Sequence, residues 1–207
     1  LGASVTQLNR SQRLLREHDD TIAERFTREA AEQWDLQLGW TLSGIERAED
    51  GRLTVLAQAS DGSGQHWDGT ADVVLLATGR VPNADTLRPE AAHLDVTGGG
   101  LLAVDEYQRV LSDGEPVTGL WALGDVCSPY QLKHVANAEA RTVSHNVVHP
   151  QDLRATDHRY VPSAVFTEPQ IASVGMTEVQ ARDWAARNGE RITIKEQDFG
   201  DVAYGWA

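Results

Sequence analysis

The chain is poor in cysteine, in basic side chains and in long apolar runs. Its 207 residues include a single cysteine, Cys127, so an internal disulfide is impossible and the count fits a reducing, cytoplasmic compartment. Lysine and arginine number 18 against 31 aspartates and glutamates, which gives a formal net charge of −13. This balance argues against a general binder of nucleic acid or of an anionic membrane, because both need a basic surface.

Apolar runs, repeats and metal-ligand spacings are lacking as well. No run approaches the roughly 20 apolar residues of a membrane span, and there are no internal repeats or low-complexity segments. His145 and His149 lie four positions apart without a third ligand, so we expect no metal site. What is present is a globular composition, with 41% hydrophobic and 24% charged residues, in a length that suits one large domain or parts of several.

The two ends of the sequence carry no clear starting or closing signal. Residue 1 is Leu, the segment LGASVTQL resembles a helix end that turns into a strand, and 201–207 stop abruptly. We expect a fragment of a longer protein that begins inside a βαβ unit. The lack of a targeting sequence therefore carries little weight.

The first part of the chain combines a strand with an amphipathic helix. We expect a short buried strand over 3–8 and a helix over 20–34, where Thr21 and Glu24 have the spacing of a capping box. Apolar side chains recur every four positions along this helix and predict its buried face. They are Ile22, Phe26, Ala30 and Trp34.

Turn signals then separate three further strand candidates. The runs 36–48 and 52–59 are joined by Asp50-Gly51, which is a strong hairpin signal. After a Gly-Ser-Gly turn at 62–64, the continuous apolar run ADVVLLA at 71–77 predicts a strand that is buried on both faces.

The second half repeats this alternation. The segment 78–118 is rich in glycine, proline and polar residues, with a short strand signal at 101–104, and a strand at 119–123 precedes a helix over 132–148. Six apolar residues mark one side of that helix. They are Leu132, Val135, Ala136, Ala140, Val143 and Val147.

A polar segment at 149–161 indicates a domain boundary. Beyond it we expect strands at 163–166 and 192–196, with a helix over 177–188 between them. Thr177 and Gln180 form a capping box at its start, and Gly189 is its stop signal.

The most informative segment is GLWALGDV at 119–126, where the apolar run from Leu120 to Leu123 ends abruptly in Gly124-Asp125. Ligands of open α/β folds bind beyond the carboxyl ends of strands. Gly124 allows backbone to come close to a ligand. The Asp125 carboxylate would accept a hydroxyl group, such as one on the ribityl chain of a flavin, in a bond worth roughly 1.5–3 kcal/mol. Taken alone, the segment fits a strand followed by a local turn equally well.

Three segments in order decide between these interpretations: ATGRVPN at 77–83, GLWALGDV at 119–126 and FTEPQIASVGMTE at 166–178. Together they resemble the flavin-dependent pyridine nucleotide-disulfide oxidoreductases, which include glutathione reductase, dihydrolipoamide dehydrogenase and mercuric reductase. Within that family, the segment at 128–150 is most similar to the branch that reduces mycothione.

The resemblance implies a mixed α/β fold made of partial FAD- and NAD(P)-binding Rossmann-like domains, with a β-hairpin or meander, and the start of an α+β dimerisation domain. The implied order is the later part of the NADP-binding domain over 1–77, the returning part of the FAD-binding domain over 78–158, and the start of the dimerisation domain over 159–207. The family's glycine-rich NADP loop, its redox CxxxxC and its catalytic His-Glu pair have no counterpart in this sequence. We therefore expect no catalytic residue here and no activity of this fragment alone.

The resemblance also assigns cofactor contacts. Asp125 would accept the flavin ribityl hydroxyl beside Gly124, and Gly79-Arg80 mark the crossing between the two cofactor domains. For Arg80, a cofactor contact and an ion pair that fixes the crossing are both open. Four residues around the helix start match positions near the flavin pyrimidine edge. They are Gln131, Leu132, Lys133 and His134. The alternative is a first helical turn that simply packs on the sheet.

Arg10 and Arg16 are the predicted contacts to the 2′-phosphate of NADPH. They follow the strand at 3–8, where an NAD enzyme places an acidic residue, and no Asp or Glu occurs before Glu17. Two arginines can offset a phosphate's double charge. Without the family resemblance, Arg10, Arg13 and Arg16 would be interpreted as solvated loop residues.

The expected parent protein is a cytoplasmic, homodimeric FAD enzyme that uses NADPH to reduce a small disulfide, with mycothione favoured. It has no nucleic-acid or membrane partner. Cys127 lacks a CxxC partner and is expected to be a buried structural thiol. Reductases of the glutathione, mercuric or dihydrolipoamide type are the alternatives within the family. A noncatalytic, flavin-less binding or structural module is the alternative outside it.

Overall fold

The computed structural model describes residues 2–201, except for the side chain of Phe199. These residues form two compact units. The first comprises the described parts of Leu1–Leu76 and Ser163–Ala207, and the second is Ala77–Pro162. Both mix helices with short strands, so the α/β class is confirmed. The three-domain division at 77/78 and 158/159 stays a prediction.

A parallel strand pair joined by a helix opens the first unit. Strand β1 (Thr6–Asn9) pairs with β2 (Asp35–Leu38), and helix α1 (Asp20–Gln33) connects them. The helix packs by a face that includes Ala23, Phe26 and Ala30, which are at most 5% exposed. The strand predicted over 3–8 is present as β1, but it is shorter and begins later, and the prediction that it is buried is wrong, because its residues are exposed or only partly buried.

Two details of α1 differ from the prediction. Ile22 is 42% exposed, and Ala23 is buried in its place, because the buried stripe follows the 3.6-residue period of a helix and not a strict repeat of four. The Thr21–Glu24 capping box is wrong. The helix begins at Asp20, as predicted, but its N-cap is Asp19, two positions before Thr21, and no side chain caps it.

An antiparallel meander follows, built from β3 (Trp40–Arg47), β4 (Leu53–Ala59) and β5 (His66–Ala71). The hairpin predicted at Asp50-Gly51 joins β3 to β4 and is confirmed. The single strand predicted over 36–48 is wrong. Gly39, with a φ of +76°, breaks it into β2 and β3, which belong to different sheets.

The strand predicted over 71–77 is also wrong beyond Ala71, where β5 ends. Val73, Leu75 and Leu76 are 81%, 86% and 63% exposed. Among the described residues, no strand pairs with 72–77 on either side. A strand forms only where its backbone groups find partners, so an apolar run alone cannot make one.

The remainder of the first unit contains a small hairpin and a helix. Strands β8 (Ser163–Val165) and β9 (Ile171–Ser173) pair antiparallel. Helix α3 (Glu178–Asn188) follows with its predicted capping box from Thr177 and its Gly189 stop, and both are confirmed. The strand predicted over 192–196 is wrong, because these residues form no regular element and pair with no described strand.

The second unit is built around an antiparallel hairpin and one long helix. Strand β6 (Arg109–Ser112) turns at Asp113-Gly114 into β7 (Glu115–Trp121), and helix α2 (Lys133–Val148) confirms the helix predicted over 132–148. The strand predicted over 119–123 is only the end of β7. Five buried side chains form the core of this unit: Ala84, Leu102, Val110, Ala122 and Cys127.

Turn chemistry explains the hairpin that the sequence analysis missed. Asp113 and Gly114 have φ values of +51° and +79°, as a two-residue type I′ turn requires. The Asp95 carboxylate accepts hydrogen bonds from both of their backbone N–H groups. The predicted strand signal at 101–104 is limited to two isolated bridges, Leu102 with Val96 and Val104 with Val110.

Candidate functional site

The end of β7 carries a tight turn that presents Asp125. After Trp121 the chain runs through extended Leu123 into one 3₁₀ turn, Gly124–Val126. Gly124 has a φ of +70°, and a Cβ added there would lie 3.3 Å from the Cβ of Ala136 on α2. Glycine therefore suits this position on two grounds, the left-handed backbone and the close approach of the helix.

Arg80 lies against this turn. Its Nη2 donates to Oδ2 of Asp125 at 2.7 Å, and the two side chains are 64% and 49% exposed. An ion pair that is this exposed stabilises the fold by only about 0–1 kcal/mol. Of the two roles left open for Arg80, the ion pair is present. It does not exclude a cofactor contact, since both side chains remain accessible.

A pocket of about 270 Å³ opens beside this ion pair. Arg80, Asp125 and Gln131 supply its polar groups, so a cation, a carboxylate and an amide converge on one cavity. Gly79 precedes Arg80 with a φ of +117° and nothing within 4 Å of an added Cβ. The remaining lining residues are Val81, Pro82, Asn83 and Val126.

The start of α2 lies next to the pocket in sequence. Leu132 is the N-cap and provides no side-chain cap, so no side-chain acceptor engages the first N–H groups of the helix. Gln131 has a left-handed φ of +51°. Lys133 is exposed, and the His134 imidazole Nε2 lies 2.9 Å from the carbonyl oxygen of Pro162.

A buried carboxylate that the sequence analysis missed supports the turn from behind. Glu139 on α2 is 1% exposed. Its Oε2 accepts from the Gly124 N–H at 2.6 Å, and its Oε1 lies 3.0 Å from Nε2 of His158. Its position in the sequence could have revealed its burial, because residue 139 lies four positions after the buried Val135, on the side of the helix that was predicted to be apolar.

Cys127 is confirmed as buried, with 7% exposure. Burial, and then the negative charge of Glu139, raises the pKa of its thiol to about 12. A thiol with such a pKa is neutral at physiological pH and is a poor nucleophile.

The loop after β1 carries the arginines predicted to bind a phosphate. Arg10 and Arg16 are both exposed, and Arg16 makes an ion pair with Glu17 at 3.0 Å. Arg13, between them, is instead paired with Asp20 at 2.6 Å. The loop therefore presents two accessible guanidinium groups and uses the third to hold the start of α1.

Neither a metal cluster nor a membrane helix is found in residues 2–201. His145 and His149 stack with their ring centroids 4.4 Å apart, but no group of three potential metal ligands forms in this part of the chain. No described helix combines the length and the apolar character that crossing a membrane requires.

Comparison with known proteins gives a consistent family. A family model described as pyridine nucleotide-disulphide oxidoreductase matches residues 1–141. Mycothione reductase of Mycobacterium tuberculosis is 49% identical over the whole chain, and glutathione reductase of Burkholderia cepacia is 37% identical over 88% of it. The chain spans 42% and 38% of the lengths of these two relatives.

A solved structure agrees with these relatives. The HOCl-induced flavoprotein disulfide reductase RclA from Escherichia coli matches with a TM-score of 0.71 and 29% identity. The match covers 88% of this chain and 39% of that one.

Proposed function

This chain belongs to the pyridine nucleotide-disulphide oxidoreductase family, and we propose that it is part of an FAD-dependent enzyme that uses NADPH to reduce a low-molecular-weight disulfide. The chain would contribute cofactor-binding residues. The redox cysteine pair and the catalytic histidine would come from parts of the enzyme that this sequence does not include.

The observation that carries the proposal is the pocket in which Arg80, Asp125 and Gln131 converge. These residues come from two of the motifs on which the family resemblance rests and from the segment before α2, and they are up to 51 positions apart. A cation beside a carboxylate fits a ligand that carries both phosphate and hydroxyl groups, because each group finds a complementary partner. FAD is such a ligand.

In this proposal Asp125 binds a ribityl hydroxyl with its carboxylate, while Arg80 offsets phosphate charge and keeps Asp125 oriented. Gln131 and the backbone N–H groups of Leu132, Lys133 and His134 face the flavin ring. Their partial positive charge, at the N-terminus of α2, favours a negatively charged ring. When bound, the flavin supplies the capacity to accept a hydride and pass on electrons. Gly79 and Gly124 let the backbone follow the cofactor closely.

We propose NADPH as the electron donor because of Arg10 and Arg16. Both guanidinium groups are exposed after β1, the strand that pairs in parallel with β2 across a βαβ connection. The adenosine ribose of a dinucleotide binds near such a strand end, and arginine there accommodates a 2′-phosphate.

Mycothione is the favoured substrate, supported by the 49% identity to a mycothione reductase along the whole chain. The lower identity to a glutathione reductase supports that alternative less. The proposed enzyme is a homodimer in the cytoplasm, a compartment in which a single buried cysteine stays reduced.

The test is the affinity of the complete protein for FAD after Asp125→Ala. Loss of a charge-assisted hydrogen bond should weaken FAD binding by roughly tenfold or more. The control is Asp157→Ala, which removes a carboxylate of similar exposure from another ion pair of the same length, 2.7 Å, in the same unit.

Titration of each apoprotein with FAD, followed by flavin fluorescence, gives the FAD affinity of the wild type and of both variants. The proposal requires that only Asp125→Ala weakens binding. Equal affinities in the wild type and the Asp125 variant would contradict it.

A further inference from the structure

Glu139 lies directly behind the turn that carries Asp125. It is one of the largest fully buried side chains among the described residues, with 1% exposure. Its Oε2 accepts from the Gly124 N–H at 2.6 Å. Gly124 immediately precedes Asp125, so this bond fixes the backbone from which the Asp125 side chain projects.

Both backbone groups of Gly124 are therefore engaged. Its N–H donates to Glu139, and its carbonyl oxygen accepts from the backbone N–H groups of Cys127 and Ser128 at 3.0 and 2.8 Å. Gly124 also has a left-handed φ, and Ala136 is near enough that a Cβ added at Gly124 would lie 3.3 Å from its Cβ. Together these features leave the turn little freedom. The hydrogen bond from the Gly124 N–H to Glu139 ties the turn to α2.

His158 completes the arrangement. Its Nε2 lies 3.0 Å from Oε1 of Glu139, and its side chain is 31% exposed. The hydroxyl of Tyr130 donates to the His158 carbonyl oxygen at 3.2 Å, and the two rings lie 5.2 Å apart. A buried carboxylate needs hydrogen-bond partners for both oxygens, and Gly124 and His158 provide them.

We propose that Glu139 is a positioning residue for the flavin site. It holds the Gly124–Val126 turn so that Asp125 faces the pocket, and His158 holds Glu139 in the orientation that reaches Gly124. The role rests on the proposed function, since it concerns the same Asp125. In this role, Glu139 and His158 support the binding of the cofactor although neither of them lines the pocket.

The test compares Glu139→Leu with Glu139→Gln in the complete protein. Leucine removes the acceptor of the Gly124 N–H. Glutamine keeps an oxygen for Gly124, and its amide can donate to a neutral His158. We expect the leucine variant to bind FAD roughly tenfold or more weakly and the glutamine variant to stay within about threefold of the wild type.

Asn146→Leu is the matched control. Asn146 lies on the same helix, is 0% exposed, and bonds the backbone of Tyr107 and Arg154. Its loss should destabilise the unit comparably and leave FAD affinity unchanged. An equal loss of affinity in the Asn146 and Glu139 leucine variants would overturn the positioning role.

A second variant and a second readout cover the case in which Glu139→Leu does not fold. His158→Leu changes a side chain that is only partly buried, so the fold should survive. Hydrogen exchange of the Gly124 amide should accelerate in this variant, with a smaller loss of FAD affinity than in Glu139→Leu. Unchanged exchange and affinity would overturn the role.

The outcomes separate this role from the proposed function. A wild-type protein that takes up no FAD would overturn the proposed function, and the positioning role with it. A wild-type protein that binds FAD with the same affinity as the folded Glu139→Leu variant would overturn the positioning role alone.

Discussion

At the scale of residues, the polar side chains at and behind the candidate site differ in burial and in their bonding partners. Asp125 and Arg80 are paired with each other and remain exposed, so both are accessible to a ligand. Cys127 is buried, and the raised pKa of its thiol keeps it neutral. Glu139 is buried as well, but both of its oxygens are bonded. Accessibility separates the residues proposed to bind the cofactor from those that support them.

The loop arginines give the prediction at this scale. In the complete enzyme, Arg10→Ala and Arg16→Ala should each raise KM for NADPH by roughly tenfold or more, because each removes a charge-assisted bond to the 2′-phosphate. KM for NADH should change much less, since NADH has no such phosphate. Steady-state kinetics with both nucleotides measure the difference.

Arg13→Ala is the control for this loop. Arg13 pairs with Asp20, so its removal should affect both nucleotides to the same degree. Equal effects of the Arg10 and Arg16 variants on NADPH and NADH would contradict the assignment of the phosphate site.

At the scale of elements, local sequence signals mark both ends of helix α3. Helix α3 begins at a capping box in which Thr177 Oγ1 accepts from the Gln180 N–H, and Gln180 reciprocates. It ends at Gly189, which has a left-handed φ of +68°. Helix α1 also contains a Thr and a Glu three residues apart, Thr21 and Glu24, but no such cap forms there.

This contrast predicts unequal effects of the same substitution. Thr177→Ala should destabilise the start of α3 by about 1 kcal/mol, because it removes a side-chain cap. Thr21→Ala should change the stability of α1 by less than about half as much, since Thr21 caps nothing. Hydrogen exchange of the first-turn amides in each helix measures both, and equal effects would contradict the assigned caps.

Elements that depend on local signals could be predicted from the sequence, and features that depend on distant partners could not. Local signals sufficed for α1, α2, α3 and the hairpin at Asp50-Gly51. The strand predicted over 71–77 was wrong because strand formation depends on a partner strand, which no local sequence pattern reveals. Glu139 was missed for a related reason. A hydrophobic pattern has no place for a buried carboxylate whose partners, Gly124 and His158, lie 15 and 19 positions away.

For the candidate site, individual residues could be predicted from the sequence, but the contact between them could not. Asp125 and Arg80 could be singled out because they lie in motifs that carry the family resemblance. That they form an ion pair could not be predicted, because they are 45 positions apart and only the folded backbone brings them together.

At the scale of the whole molecule, the chain spans less than half of the length of the relatives it matches. It spans 42% of the length of the mycothione reductase that it matches, and an apolar stretch that includes Val73, Leu75 and Leu76 lies exposed. Its two compact units carry the proposed NADPH contacts and the proposed FAD contacts separately. The function that we propose therefore belongs to the complete protein.

The most direct test of that function is an anaerobic titration of the complete, FAD-loaded protein, followed by its visible flavin absorption. We predict that NADPH bleaches the flavin band far more readily than NADH does, and that added mycothione restores it. A complete protein that cannot be loaded with FAD, or whose bound flavin NADPH fails to reduce, would contradict the account.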